Sequence, residues 1–326
     1  MGSSPSLSPD FAAAFLARAG TPGVLTFAAF MELALFHPEL GYYRKDKKRV
    51  GYARGTDFYT ATTSGAVFGE LVTAACVTLL GGESAAREHT FVEIGAEPDG
   101  GVLTGVTHPF AATRTLRVGE SLALDGRCVV FSNELFDAQP IRRFIRRGAA
   151  WRELGVSLRD GALVEVELDQ VTAPWLPAEA NEGYLFDAPR AAGELAVLIA
   201  AQPWTGLFVA FDYGKSFAEL ATATPAGTTR AYHQHKQSND LFARPGEQDL
   251  TGHICWDWLA DALTGGGFRG ATVESQEAFF IHHSGAYLSQ AMAAEAARLS
   301  QRKLALMQLL HPSNMGQKFQ VLYARR

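Results

Sequence analysis

The spacing of hydrophobic positions changes along the chain. Residues 10–85 place apolar side chains at helical intervals, in Phe11–Leu16, Phe27–Leu35 and Val67–Leu80, which predicts an N-terminal helical segment. From residue 90 onward, short apolar runs alternate with helical patterns. That alternation is typical of a mostly parallel sheet with helices on both faces. We therefore predict a doubly wound α/β fold.

The short apolar runs predict six strands of this sheet. They are Thr90–Gly95, Thr115–Val118, Arg127–Phe131, Gly206–Asp212, Ala271–Glu274 and a terminal strand at Lys318–Ala324. The helical patterns predict helices at Arg190–Ala201 and Cys255–Leu263, and one long helix from about Tyr287 to Leu310.

Two stretches depart from the alternation. Residues 141–168 alternate apolar and polar positions around Arg147-Gly148 and Asp160-Gly161, which predicts an antiparallel hairpin or meander. Residues 213–253 are irregular, and so long an irregular stretch in a compact domain usually has a function. We divide the chain into an N-terminal helical lid, residues 1–85, and a core, residues 86–326, that contains both insertions.

Polar residues follow three of the predicted strands. Glu93 and Gly95 end the first, Asn133 and Glu134 follow the third, and Asp212 ends the fourth. In open α/β sheets the ligand lies beyond the carboxyl ends of the strands. The sequence therefore predicts one site at this edge, with residues 10–85 folded over it as a lid.

Composition narrows the class of protein. The 326 residues are 47% hydrophobic, enough for a large core, and the net charge of −5 gives no basic field for nucleic acid. No apolar run approaches the roughly 18 residues of a membrane span. The three cysteines are widely spaced and no secretory signal is recognisable, so we expect a cytoplasmic protein. The basic run Arg44–Arg49 is interpreted as a solvated loop.

Histidines raise the question of a metal. His233 and His235 have the spacing of two ligands on one strand face, and His253 follows at a distance. No helical His pair or Cys partner accompanies them, so we expect no metal site.

A series of short motifs recurs in order from about residue 30 to the C-terminus. The motifs are Pro38–Tyr43, Asp57–Ala61, Phe68–Glu70, Glu93–Ala96, Ser132–Ala138, Phe211–Gly214, Gly227–Tyr232, Asp249–His253, Phe279-Phe280 and Met315-Gly316. Together they resemble the MidA-like family, the relatives of the mitochondrial complex I assembly protein-arginine methyltransferase. The resemblance implies a Rossmann-like class I methyltransferase fold, S-adenosyl-L-methionine (SAM) as cofactor, and protein arginine as substrate.

The motifs supply candidate site residues in three groups. A carboxylate at Glu134 could accept bonds from a guanidinium, with Asn133 and Asp137 beside it; the alternative is that Glu134 and Asp137 cap a following helix. The cofactor group is Glu93, Gly95, Ala96, Glu120, Asp57 and Phe58, and the substrate group is Asp212, Tyr213, Arg230, Tyr232, His235 and His253.

The glycine-rich turn of the first strand departs from the family pattern. The chain reads Gly95-Ala96-Glu97-Pro98-Asp99-Gly100-Gly101 where the family has Gly-Ala-Gly. Glu97 brings a Cβ and a charge to a place of close approach, and Pro98 removes an N–H donor. The sequence therefore predicts weakened SAM binding.

The spacing after this turn is short as well. Only 32 residues, 96–127, separate Gly95 from Cys128, whereas one strand–helix step consumes about 30 residues. We interpret Thr115–Val118 as the third strand of the family fold and the second strand as deleted. Glu120 would then be the one substitute for the acid that holds the ribose.

Two hypotheses of different class follow. The first is a SAM-dependent methyltransferase acting on a protein side chain, with arginine implied by the resemblance. The second is a non-catalytic protein of the same fold that binds a partner protein. An enzyme that uses another small ligand in the cleft is a third option, and a homodimer stays open.

Overall fold

The computed structural model describes residues 7–45, 47, 49, 51, 56–57, 61–98, 100–296 and 300–326. The strands are β1 Val24–Thr26, β2 Thr90–Ile94, β3 Ala112–Leu116, β4 Gly126–Asn133, β5 Arg142–Arg147, β6 Ala150–Arg159, β7 Ala162–Val171, β8 Leu185–Ala188, β9 Trp204–Asp212, β10 Gly214–Lys215, β11 Arg230–His233, β12 Lys236–Ser238, β13 Asp249–Thr251, β14 Ile254–Cys255, β15 Arg269–Ser275 and β16 Gln320–Arg325. The α-helices are α1 Pro9–Ala19, α2 Phe27–Phe36, α3 Ala66–Leu80, α4 Glu83–Ala86, α5 Arg190–Ala201, α6 Phe217–Thr222, α7 Trp256–Gly265, α8 Gln276–His283, α9 Gly285–Ala294 and α10 Gln301–Leu310. Single helical turns occupy Tyr42–Arg44, Ala61–Ser64 and Pro312–Gly316.

The core is a six-stranded sheet in the order β3-β2-β4-β9-β16-β15. Strands β3, β2, β4 and β9 are parallel, whereas β16 runs antiparallel to both of its neighbours. The predicted α/β architecture is confirmed, with a mixed sheet. All six predicted strands exist, although β3 begins and ends earlier than Thr115–Val118.

Helices bury both faces of this sheet. On one face Phe68 of α3 packs against Phe131 and Phe211, together with side chains of α8, α9 and α10. On the other face α5 and α7 cover Val130 and Phe208. Burial of such side chains contributes about 1.5–3 kcal/mol each, so the two apolar layers fix the sheet that positions the strand ends.

The connection from β2 to β4 is short and contains little regular structure. The described residues between 95 and 125 contain one strand, β3, and no helix. Residues 112–115 of β3 are exposed, since β3 lies at the sheet edge. These facts agree with the short spacing in the sequence, while the deletion of a second family strand stays a prediction.

A second, antiparallel sheet lies beside the core. It has the order β1-β6-β5-β8, with β7 also paired to β6. The predicted meander at residues 141–168 is therefore present, with its turns at Gly148 and Gly161, which adopt positive φ.

The N-terminal segment packs in two places. Helices α1 and α2 bury Phe15 and Phe30 against Ile141 and Val156 of the meander region, whereas α3 belongs to the layer that covers the core sheet. The predicted division at residue 85 stays a prediction, but α3 is part of the core packing.

Two local predictions are wrong. The stretch 213–253 is not wholly irregular: it contains α6, and β12-β11-β13 form a small sheet. The predicted long helix is two helices, α9 and α10, because Ser300 caps α10 by accepting the Lys303 N–H (3.1 Å). A serine at that position favours a new helix start over continuation.

Across the described part of the chain, no helix combines the length and the apolarity that a bilayer crossing requires.

Candidate functional site

The candidate site forms where the parallel strands end. Asn133 is the last residue of β4 and Asp212 the last of β9, and their neighbours pair in register, Asn133 opposite Phe211. Glu134 follows with φ of +51°, and its N–H donates to Phe211 O (2.9 Å). A side chain is rarely held in this left-handed conformation unless surrounding contacts fix it. The strand ends therefore set the direction of the Glu134 carboxylate.

Asp212 organises the turn after β4. Its Oδ2 accepts the N–H groups of Phe136 (3.0 Å) and Asp137 (3.3 Å), and its Oδ1 accepts that of Tyr213 (2.9 Å). The turn leads to β5, not to a helix, so the interpretation of Glu134 and Asp137 as helix caps is wrong. The fully buried Asp212 therefore fixes the turn that carries Glu134 and Asp137.

Four carboxyl groups meet here: Glu134, Asp137, Asp212 and Asp249, which we term the acid cluster. Burial raises the pKa of Asp137 to about 6. Burial and the charge of Asp137 together raise the pKa of Asp249 to about 8. Burial, with the Asp137 charge, also places the pKa of Glu134 and of Asp212 well above the ordinary range. Carboxylates crowded away from water are relieved by a cation.

The hydrogen bonds of the acid cluster are incomplete. Within the described residues, Asp137 Oδ1 and Asn133 Oδ1 are buried and have no partner. Asp249 Oδ1 accepts the Tyr43 hydroxyl (2.9 Å), and the Tyr213 hydroxyl beside Asp137 donates to Thr251 Oγ1 (2.6 Å). Buried oxygens without a donor are costly and indicate a place for a ligand donor. Among the described residues, no three His, Cys, Asp or Glu side chains are arranged so that they could hold a metal ion.

A cavity of about 330 Å³ opens next to the acid cluster, and we term it the side pocket. Its lining includes Tyr213, Thr228, Arg230, Tyr232, Thr251 and His253. Four predicted substrate residues therefore share one cavity: Tyr213, Arg230, Tyr232 and His253. Tyr232 also pairs with Asp249 across the small sheet. Burial, with the charges of Asp137 and Asp249, raises the pKa of Tyr232, while Arg230 lowers it.

Asp57 holds the lid to the small sheet. Its buried carboxylate accepts the Tyr42 hydroxyl (2.8 Å), Lys47 Nζ (2.6 Å) and the Gln234 N–H (3.0 Å). Burial alone would raise the pKa of Asp57, but these bonds, that of Lys47 first, hold the pKa below its usual range. The His235 N–H donates to Asp57 O (2.8 Å) in the same contact. Phe58 lies outside the described residues, and a cofactor role for either residue stays a prediction.

Replacement of Asp57 by Ala should destabilise the protein by about 3 kcal/mol, because it leaves three donors, one of them charged, without their acceptor. Urea unfolding of the variant measures this loss. Asp169→Ala, an exposed carboxylate in β7, should change the free energy of unfolding by less than about 0.5 kcal/mol. Equal effects of the two changes would contradict this role of Asp57.

The turn after β2 offers a cofactor few N–H donors. Gly95 has φ of +85°, and the N–H groups of Gly95 and Ala96 both donate to Leu116 O (2.8 and 3.3 Å). The Gly100 N–H donates to Glu97 O (3.2 Å), and the Val102 N–H donates to Glu93 Oε2 (2.6 Å). The methyltransferase turn binds its ligand with such N–H groups and with a following helix N-terminus. Here the donors have internal partners, and no described helix follows.

Glu97 carries the charge at this turn. Arg49, which is 3% exposed, forms an ion pair with Glu97 (Nη2 to Oε2, 3.0 Å). Glu97 also adds its charge to the acid cluster, since it raises the pKa of Glu134 and Asp249. The interpretation of residues 44–49 as a solvated loop is therefore wrong for Arg49.

The two remaining acids of the predicted cofactor group are separated. Glu93 is buried under the turn, so close that a Cβ at Gly101 would lie 2.5 Å from its Oε2. Glu120 is exposed beyond β3, and its Oε2 accepts the Arg117 N–H (2.8 Å). The N–H donors of the turn after β2 are already hydrogen-bonded within the protein, and Glu97 brings a charged side chain to the place where the backbone would approach the cofactor. The residues present therefore do not fit SAM in the usual manner of the fold.

Burial of Glu93 predicts a pH effect on stability. Burial raises its pKa to about 7, against the Val102 hydrogen bond. A carboxyl with a raised folded-state pKa contributes stability below its ordinary pKa and loses it as pH rises through about 7. The shift corresponds to about 3 kcal/mol. When the pH is raised from 5 to 8, the free energy of unfolding should fall less in Glu93→Gln than in the wild type. The difference between the two proteins should reach up to about 3 kcal/mol. Glu120→Gln should follow the wild-type profile; parallel profiles for all three proteins would refute the assignment.

Two residues of the site, Asp249 and Arg49, were not among the predicted site residues. Asp249 lies inside a recognised motif, so its motif membership was a usable signal. Arg49 gave no signal, because a basic run looks solvent-exposed and only the packed lid buries one of its side chains.

Comparison with known proteins shows what the chain is similar to. A family model described as "Putative S-adenosyl-L-methionine-dependent methyltransferase" matches residues 115–271. A crystal structure of a COG1565 superfamily member from Burkholderia thailandensis bound to S-adenosyl-homocysteine superposes with a TM-score of 0.84 at 24% identity, covering 99% of this chain and 95% of that chain. A native structure of a COG1565 superfamily protein from the same organism gives a TM-score of 0.80 with the same identity and coverage. No curated protein matches. The chain therefore has the methyltransferase fold, and its residues 115–271 are similar to this family of SAM-dependent methyltransferases.

Proposed function

We propose that the protein recognises the guanidinium group of an arginine in a partner protein and that methylation of this arginine is its activity. The observation that carries the proposal is the acid cluster at the strand ends, with Asp137 Oδ1 buried and unpartnered. A guanidinium presents five N–H donors in a rigid fork that matches carboxylate oxygens. It would satisfy Asp137 and Asn133 together and would neutralise the crowded charges.

The acids have complementary tasks in this proposal. Glu134, fixed by its strained backbone, orients the guanidinium fork to fork, and Tyr213 and Tyr232 flank it. Asp137, with a pKa of about 6, is charged at neutral pH yet close enough to neutrality to accept the proton that a nitrogen loses on alkylation. Positioning of the nitrogen provides most of the rate.

The cofactor is the open part of the proposal. The relative from Burkholderia thailandensis holds S-adenosyl-homocysteine, and the family is SAM-dependent. In this chain the turn after β2 supports low SAM affinity, because its donors are occupied and Glu97 adds negative charge. We propose SAM as the donor, bound far more weakly than at an intact turn.

The alternative function is a non-catalytic arginine-binding protein of the same fold. The Arg49–Glu97 ion pair favours it, since the pair closes the turn with the chain's own carboxylate. Both functions use the acid cluster and a protein partner, and both are consistent with a cytoplasmic location. They differ in whether a methyl donor reaches the cleft.

A transfer assay separates the two. Purified protein is incubated with an arginine-containing peptide and SAM at several millimolar, with the label on the donor methyl group. The proposed activity predicts label on the arginine, and predicts its loss in Glu134→Gln. Peptide binding without any transfer would overturn the enzymatic proposal in favour of the non-catalytic one.

A further inference from the structure

The side pocket contains positive charge that binding of a guanidinium does not use. The Arg230 side chain lines it, and among the described residues its one hydrogen bond is to a backbone oxygen, Thr229 O (2.7 Å). Lys215 is near enough for its charge to act on the pocket residue His253, and it forms an ion pair with Glu219 (4.0 Å). Arg230 is thus the cation that lines the cavity.

The carboxylate beneath this pocket is already neutralised. Asp187 pairs with Arg143 (2.9 Å) and accepts the N–H groups of Thr228 (2.7 Å) and Thr229 (2.8 Å). These bonds hold the 227–229 loop in place, so close to Asp187 that a Cβ at Gly227 would lie 2.7 Å from its Oδ2. Asp187 therefore shapes the pocket wall and offers no free charge to a ligand.

His253 adds a neutral wall to the pocket. Burial, with the charges of Lys215 and Arg230, lowers its pKa to about 4, so the imidazole is uncharged at neutral pH. Its Nδ1 is buried and without a partner among the described residues, and its ring packs edge-on against Tyr213 (5.7 Å between centroids). The positive charge of the pocket lining comes from Arg230.

The cleft as a whole is therefore dipolar. Tyr213 and Tyr232 line the side pocket together with Arg230, and the charge of Asp137 in the acid cluster acts on both tyrosines. A ligand that matches it carries a guanidinium and a carboxylate a few bonds apart. We propose that the side pocket binds an acidic side chain next to the target arginine, so that the substrate class is arginine flanked by Asp or Glu. This inference rests on the proposed function for the arginine end, whereas the anion end stands on Arg230 in the side pocket.

Four synthetic peptides of equal length test it by calorimetry. Their central residues are Asp-Arg, Arg-Asp, Gly-Arg and Asp-Gly in a glycine frame with blocked ends. We expect one of the two acidic arginine peptides to bind the wild type about tenfold or more tightly than the Gly-Arg peptide, as one charged hydrogen bond implies. Arg230→Gln should abolish that preference. Arg159→Gln, an exposed arginine on β6, should keep the preference.

The outcomes separate the two ends of the cleft. Equal affinity for all arginine peptides, or a preference that survives in Arg230→Gln with an unchanged melting temperature, overturns the anion site while the arginine proposal stands. Failure of the Gly-Arg peptide to bind, with Asp-Gly bound through Arg230, overturns the arginine proposal and supports the anion site. Failure of every peptide to bind overturns both.

Discussion

Replacement of Asp137 by Asn should weaken the binding of an arginine peptide by about 10- to 100-fold. A hydrogen bond between charged groups contributes about 1.5–3 kcal/mol, and each 1.4 kcal/mol is a factor of ten in affinity. The buried Asp137 Oδ1 has no other donor among the described residues. An amide at this position keeps the shape of the side chain but removes the charge. Titration calorimetry of both proteins with one peptide measures the difference.

The pH dependence of this binding has a defined sign. The acids bind a guanidinium in their charged form, so peptide affinity should rise with pH as Asp137 loses its proton near pH 6 and Asp249 near pH 8. Asp137→Asn should lose the part of the rise near pH 6. Its melting temperature should equal or exceed that of the wild type, because a buried carboxyl is replaced by a neutral group. Asp261→Asn, on the exposed face of α7, is the matched control. Unchanged affinity in Asp137→Asn would exclude this residue from the site.

The second large effect concerns the cofactor. Wild-type protein should bind SAM with a dissociation constant of roughly a millimolar, about a thousandfold weaker than a micromolar site. If the ribose acid is absent, as the short spacing predicts, its loss and the repulsion from Glu97 together remove about 3–4 kcal/mol. Glu97→Gly should recover about tenfold or more, because it removes the Cβ and the charge and frees Arg49 for the donor's carboxylate. Calorimetry with SAM and with S-adenosyl-homocysteine gives both values.

Glu120 provides the control for this prediction. Its carboxylate is exposed and accepts the Arg117 N–H, so Glu120→Ala should leave SAM affinity unchanged. Low-micromolar binding by the wild type, lost in Glu120→Ala, would refute the account of the turn and assign the ribose to Glu120.

Local patterns predicted the regular parts of this fold well. Helix α5 was predicted with its observed bounds, since its apolar spacing and the following Gln202 mark both ends. The meander at 141–168 was readable because its turns need residues that tolerate positive φ, as Asp160 and Gly161 do. Both features depend on neighbours in the sequence, and local rules therefore suffice for them.

The errors arise where distant contacts decide. The small sheet β12-β11-β13 was not predicted, because its strands are only three or four residues long and β13 pairs with β11 across 17–21 positions, as in Tyr232 with Asp249. The strand ends were predicted to converge, and they do, at Asn133 and Asp212. The ion pair that Arg49 forms with Glu97, and the contact between Tyr43 and Asp249, join separate segments and required the folded chain.

A pair of peptides that differ in one group tests the central claim most directly. One peptide contains arginine, and the other contains citrulline, which has the same shape but a neutral urea in place of the guanidinium. Titrated into the wild-type protein at pH 7.5, the arginine peptide should bind at least about tenfold more tightly, because only a cation relieves the acid cluster. Equal affinity for the two peptides would contradict the assignment of this cleft to arginine.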